Sequence, residues 1–148
     1  MILVQHILDD ARRRLAVLSR EALVSEAGEI LANPDTPLVV VCDGQGTAVG
    51  VVSKTDIMKE LAGARVDAVK MDTGAIMTNP ILSCHVDQTL QRVWETMNVR
   101  SLRCVPILDD SGRPQGVVHA RDLARALLGE VNEEEVLLRD YVLGVGYQ

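Results

Sequence analysis

The 148-residue sequence predicts a mixed α/β (α+β) fold in which one small unit, a mixed sheet with helices on it, occurs twice. Three observations point there. Segment 43–63 aligns without gaps on segment 109–129, at an offset of 66 residues, and self-similarity of that kind sets the architecture of a whole chain. Short β-branched runs alternate with runs whose apolar residues recur at helical period. Asp- and Gly-containing turns stand at matching places in both copies.

In the first copy, Val24 to Ala32 reads as a helix that Pro34 and Asp35 terminate. The run Leu38–Cys42 is continuously apolar and β-branched, as expected of a strand covered on both faces. Asp43-Gly44-Gln45-Gly46 tolerates positive φ and makes a hairpin to a returning strand over Ala48–Val52. Residues 55–63 then form a helix, with Asp56 near its first turn and Gly63 as its stop.

The second copy repeats this order. Asp87 is placed as the N-cap of a helix whose Leu90, Val93, Trp94 and Met97 share one apolar face. Strands are expected at Cys104–Leu108 and Gln115–Val118, joined through Asp109 to Gly112, and a helix over 120–129 carries Asp122 and ends at Gly129. Ala27, Ile30 and Leu31 match Leu90, Val93 and Trp94 at an offset of 63, so the second copy holds three extra residues within 98–104. The units are set at 5–65 and 72–129, followed by a tail over 130–148.

Composition narrows the function. The chain is 47% hydrophobic and 2% aromatic, with no Phe, which predicts a packed, aliphatic core. A net charge of −6 and three aromatic residues argue against nucleic acid as a partner, because neither phosphate neutralisation nor base stacking is provided for. Cys42, Cys84 and Cys104 are odd in number and widely spaced, which suits reduced thiols and neither a disulfide framework nor a zinc site. The opening residues lack the features of a signal peptide, and no window approaches the roughly 18 apolar residues of a membrane helix. A soluble, cytoplasmic protein that does not engage membranes is expected.

An enzyme needs a nucleophile beside a base, or a paired acid and base. The one adjacent couple, Cys84-His85, points to opposite faces of an extended segment. His6, His85 and His119 have no metal-ligand spacing. A non-catalytic role follows.

Each copy closes on a related heptapeptide: Gly50-Val51-Val52-Ser53-Lys54-Thr55-Asp56 and Gly116-Val117-Val118-His119-Ala120-Arg121-Asp122. These resemble the signature of the CBS domain, which runs Gly, two apolar residues, Ser or Thr, two variable residues, Asp. Ile76-Met77-Thr78-Asn79-Pro80 resembles the segment that commonly opens a CBS repeat. The resemblance covers roughly residues 5–129. It implies two CBS repeats packed through their sheets about a pseudo-two-fold axis, a Bateman module, with adenosine ligands such as AMP, ADP or ATP in the clefts between them. The role implied is regulatory, with occupancy signalled to a partner protein.

In that family the signature Asp holds the ribose hydroxyls, the Ser or Thr contacts phosphate, and main-chain groups of the opening segment read the base. Carried over, Asp56 and Asp122 take the ribose, while Ser53 with Thr55 and His119 with Arg121 face phosphate. Val17, Pro37, Thr78, Asn79, Pro80 and Ile81, together with Arg103, Val105 and Pro106, complete the expected ligand-binding set. The chemistry agrees, since a carboxylate accepts from both hydroxyls of a diol in a bidentate way. An Asp at a helix start also caps that helix, which is the competing reading of both residues.

His119 departs from the Ser/Thr position and can accept a hydrogen bond when neutral. Arg121, with Arg100 and Arg103 nearby in sequence, makes the second cleft the more cationic and the expected stronger nucleotide site. Arg12, Arg13 and Arg14 read as a solvated helix-to-strand junction, with a polyphosphate within their reach as the alternative. The tail's Val136, Leu137, Tyr141, Val142 and Leu143 are expected either to pack on a second subunit, giving a homodimer, or to close the chain's own fold. The alternative function is a structural or interaction module with degenerate, ligand-free clefts.

Overall fold

The computed structural model describes residues 1–63 and 67–129; the tail over 130–148 and the expectations placed on it lie outside the described residues. A 3-10 turn, Val4–Ile7, leads into α1 (Leu8–Arg13). The first copy follows as β1 (Val17–Ser19), α2 (Val24–Leu31), β2 (Val39–Cys42), β3 (Ala48–Val52) and α3 (Lys54–Ala62). After a 3-10 turn at Ala68–Lys70 come α4 (Thr73–Ile76), α5 (Leu90–Arg100), β4 (Cys104–Leu108), β5 (Pro114–His119) and a helix over 120–129, here α6.

β1 pairs parallel with β2, and β2 antiparallel with β3, in one sheet; β4 and β5 form an antiparallel pair in a second. The duplication reaches into irregularities. Register shifts fall between Val41 and Cys42 and between Ile107 and Leu108, equivalent places at the 66-residue offset. In the hairpins, Asp43 Oδ1 accepts the N–H groups of Gln45 and Thr47 at 2.9 and 3.0 Å, and Asp109 Oδ1 those of Ser111 and Arg113 at 2.9 Å each. Gly46 and Gly112 close these turns at φ 82° and 80°, a region other residues enter at a cost.

The copies differ where the sequence did not specify the outcome. α5 is capped by Thr89, whose hydroxyl accepts the Arg92 N–H at 3.2 Å, and not by Asp87, whose own N–H is turned onto His85 Nδ1. The three extra residues lengthen α5 against α2, and Ser101, in a left-handed conformation at φ 54°, ends the helix. Trp94 lies at the rim of the buried face, 37% exposed, while Leu90, Val93 and Met97 fill its centre. The second copy's first strand shrinks to one bridge, Cys84 to Ile107, because the next N–H, that of His85, goes to the Gln88 side chain.

Three apolar clusters hold the chain together. Val24, Ala27, Leu31, Val39, Val41 and Val52 pack with Ile76 and Met77 of the segment that precedes the second copy. Leu90, Val93, Met97, Val105, Ile107, Val118 and Leu123 pack with Val4, Ile7 and Ala11 from the start of the chain. Each copy's core is thus completed by the segment leading into the other. Between the sheets, Leu38, Val40 and Cys42 meet Val117, with Leu15, Ala48, Val51 and Cys104 around them. The Ala48 N–H also donates to the Gly112 carbonyl at 2.9 Å, tying β3 to the other copy's turn.

Candidate functional site

The two signature aspartates sit at the starts of α3 and α6, and the exchange of leading segments gives each a different neighbour. In the first copy Ser53 is the N-cap of α3 and Asp56 its reciprocal partner. The Ser53 N–H and hydroxyl donate to Asp56 Oδ2 at 2.8 and 3.1 Å, and the Thr78 hydroxyl donates to Oδ1 at 3.0 Å. Thr78 is brought there by its backbone pairing with Val51 of β3. Ser53, Asp56 and Thr78 therefore form one polar cluster built from neutral donors. Thr55, Val17, Asn79 and Pro80 are exposed and Pro37 and Ile81 half-buried; none of the six shares a hydrogen bond with Asp56.

In the second copy His119 stands where Ser53 does, and its Nδ1 accepts the Arg121 N–H at 3.0 Å, a capping role that requires that nitrogen unprotonated. Asp122, 6% exposed at its side chain, is gripped by a residue from the far end of the chain. Arg14 Nε donates to Oδ2 at 2.6 Å and a terminal Arg14 nitrogen to Oδ1 at 3.2 Å. A further Arg14 nitrogen reaches the Asp35 carbonyl at 3.4 Å. The pair lies in a cavity of about 270 Å³ lined also by Asp10, Arg13 and Arg125.

This corrects one expectation. The basic run is solvated at Arg12 and Arg13, which pair with Asp9 and Asp10 one turn earlier, but Arg14 is 17% exposed and holds Asp122. Arg13, Arg14 and Arg125 line the cavity; Arg103 and Arg121 are exposed and near enough to act on the charge of His119. The sequence carried no signal for the Arg14 contact, since Asp10 stands four residues before Arg14 and offers it a local partner at helical spacing. Of the other residues expected in the ligand-binding set, Val105 is buried. Its side chain is 2% exposed inside the second copy's core, and Pro106 is buried, its carbonyl taken by the Cys84 N–H.

Charge follows from this packing. The Arg14 hydrogen bonds hold the Asp122 carboxyl below its ordinary pKa against the opposing effect of burial. Burial first, then Arg14, pushes the His119 pKa down. For both groups the unfolded chain binds protons more readily than the folded one, so stability rises with pH. His119 withdraws stability as pH falls below about 6.5, and Asp122 does so as pH falls below about 3.8. Urea midpoints should therefore drop between pH 7 and pH 5, and His119→Gln should flatten that slope; parallel slopes for the two proteins would contradict the assignment.

Burial pushes the Cys84 thiol up to about 12 and raises Cys42 and Cys104 too, so these sulfurs are thiols and not thiolates at neutral pH. Among the described residues no group of three or more His, Cys, Asp or Glu is placed to hold a metal, and no helix is long and apolar enough to cross a membrane.

Comparison with known proteins fits this layout. Residues 4–63 and 73–129 each match the family model of the CBS domain. An uncharacterized 17.7 kDa protein of Acidianus ambivalens is 27% identical over 118 residues, covering 80% of this chain and 70% of that protein. L-aspartate semialdehyde sulfurtransferase of Methanocaldococcus jannaschii is 29% identical over 107 residues, 72% of this chain but 20% of the enzyme. Among solved structures, the CBS domain pair of protein MJ0100, in complex with 5′-methylthioadenosine and S-adenosyl-L-methionine, superposes with a TM-score of 0.74 at 26% identity, covering 88% of this chain and 98% of that one.

Proposed function

The chain belongs to the CBS domain family as a tandem pair, and from that premise we propose that it is a regulatory module, without chemistry of its own, that binds adenine nucleotides between its repeats. The observation that carries this reading is the placement of Asp56 and Asp122 at equivalent helix starts, the second facing a cavity with three arginines on its wall. A carboxylate suits a ribose diol and the guanidinium forks suit phosphate. The adenosine ligands of the MJ0100 pair support the ligand class. AMP, ADP or ATP is the expected ligand, with the second cleft the stronger site.

Calorimetric titration with AMP, ADP, ATP, NAD and S-adenosylmethionine tests this. At least one of the three nucleotides should bind with Kd below about 1 mM, the −4 kcal/mol level at which a small specific site registers; no binding by any of the five would overturn the reading. One observation favours the alternative, an interaction module with closed clefts: both signature carboxylates already have donors within the chain.

The proposal includes a cytoplasmic homodimer that reports occupancy to a partner protein. α3 buries none of its residues fully and leaves Met58 and Leu61 exposed, and α6 leaves Leu128 exposed. Apolar surface shared by two equivalent helices suits a second copy. Sedimentation equilibrium should return twice the chain mass of 16.1 kDa; a monomer at tens of micromolar would refute the dimer.

A further inference from the structure

The two clefts differ in what a ligand must displace. Around Asp56 the donors are one backbone N–H and two hydroxyls, and hydroxyls rotate away from a carboxylate without leaving a charge behind. Around Asp122 the donor is a guanidinium that uses both oxygens in the same forked manner a ribose diol would need. A diol and the Arg14 fork therefore compete for one carboxylate.

Displacing Arg14 has a consequence set by its surroundings. It is 17% exposed, Asp10 is already paired with Arg13, and Asp35 offers Arg14 a hydrogen bond through its backbone carbonyl and only a more distant attraction through its charge. A guanidinium released there has lost its hydrogen-bonded anion in a poorly hydrated place, which is costly unless another anion arrives to accept both N–H groups. The phosphate of the same ligand supplies one, and a fork that fits a carboxylate also fits a phosphate. A neutral adenosine brings the competing diol and no replacement.

We propose that Arg14 is the specificity-determining residue of the second cleft, yielding Asp122 to ligands that carry a phosphate and withholding it from uncharged adenosines. The first cleft, with neutral donors, lacks this discrimination. The inference rests on the adenosine-binding reading and deepens it. It also makes the end of α1 the element that responds to occupancy, because the side chain that changes partner follows that helix directly.

The test uses the full chain carrying Asp56→Ala, so that binding reports on the second cleft, titrated by calorimetry with AMP and with adenosine. AMP should bind at least about 30-fold more tightly than adenosine, the scale on which an unpaired, part-buried charge is felt. Adding Arg14→Gln should shrink that ratio to about threefold or less, with adenosine binding more tightly than before because Asp122 is now free to take its diol. An unchanged ratio would overturn the role of Arg14 while leaving the adenosine reading intact. Failure of both ligands to bind either protein would overturn the second-cleft proposal, and the same failure with the unsubstituted chain would overturn the adenosine reading as well. If circular dichroism shows Arg14→Gln unfolded, Arg14→Lys carries the test: it keeps the charge without the fork, so the ratio should fall by at least about threefold, and no change would again overturn the proposal.

Discussion

Asp122→Ala is expected to lower the free energy of unfolding by about 2–4 kcal/mol, the range for removing one member of a buried ion pair after allowance for the partial exposure of Arg14. The side chain is 6% exposed and its partner 17%, so neither charge is well hydrated, and the variant leaves the guanidinium with the Asp35 carbonyl and the more distant Asp35 charge. Asp56→Ala removes the equivalent residue of the first copy and should cost about 1 kcal/mol, since what is lost is one half of a helix cap and a hydroxyl contact. Urea unfolding of both variants, with unchanged m-values, checks the contrast. Equal small losses would mean that the Arg14–Asp122 pair contributes little to the fold.

Gly116→Ala should cost about 2–3 kcal/mol, near the upper end for overpacking a core. A Cβ at this position of β5 would lie 2.8 Å from Ala11 Cβ and 2.9 Å from the Ala11 carbonyl carbon, so the obstacle is the backbone of α1. Relief requires the helix to lift, uncovering Val4 and Ile7, which it holds against the second copy's core. The equivalent Gly50→Ala meets the Met77 side chain instead, whose Cγ lies at 2.7 Å. A flexible thioether chain can move aside, so about 1 kcal/mol is expected there. The N-terminal segment of Gly116→Ala should also be cut faster by protease than that of the parent; equal stability losses for the two glycines would show that α1 is not docked as described.

What was legible in the sequence was local. Strand runs, hairpin turns and their Asp and Gly positions recur at a fixed offset, and each is fixed by residues within a few places of one another, as the Asp43 and Asp109 bonds show. The family resemblance rested on the same local motifs, and it holds across both repeats. The cap of α5 was misplaced because Asp87 and Thr89 are both competent and two residues apart, and the choice depended on where His85 and Gln88 took the chain.

The site was less legible for a physical reason. Arg14 and Asp122 are 108 residues apart, and they meet because the leading segment of the chain completes the second core and not the first. No periodicity carries that information. The facing of β4 was likewise open: a two-residue alternation puts Val105 and Ile107 on one side and Cys104 on the other, but which side is the core follows from packing. Arg103 and Arg121 were chosen for proximity in sequence to the signature, whereas Arg13, Arg14 and Arg125 arrive through the fold.

The central claim, that the signature aspartates hold the ribose of an adenine nucleotide, is tested most directly by a crystal structure of the full chain grown with AMP. The account requires nucleotide in a cleft between the repeats, ribose hydroxyls within hydrogen-bond distance of Asp122 or Asp56, and, where Asp122 is used, Arg14 turned from its carboxylate to the phosphate. AMP bound elsewhere, or bound in a cleft with its ribose touching neither aspartate, would contradict it.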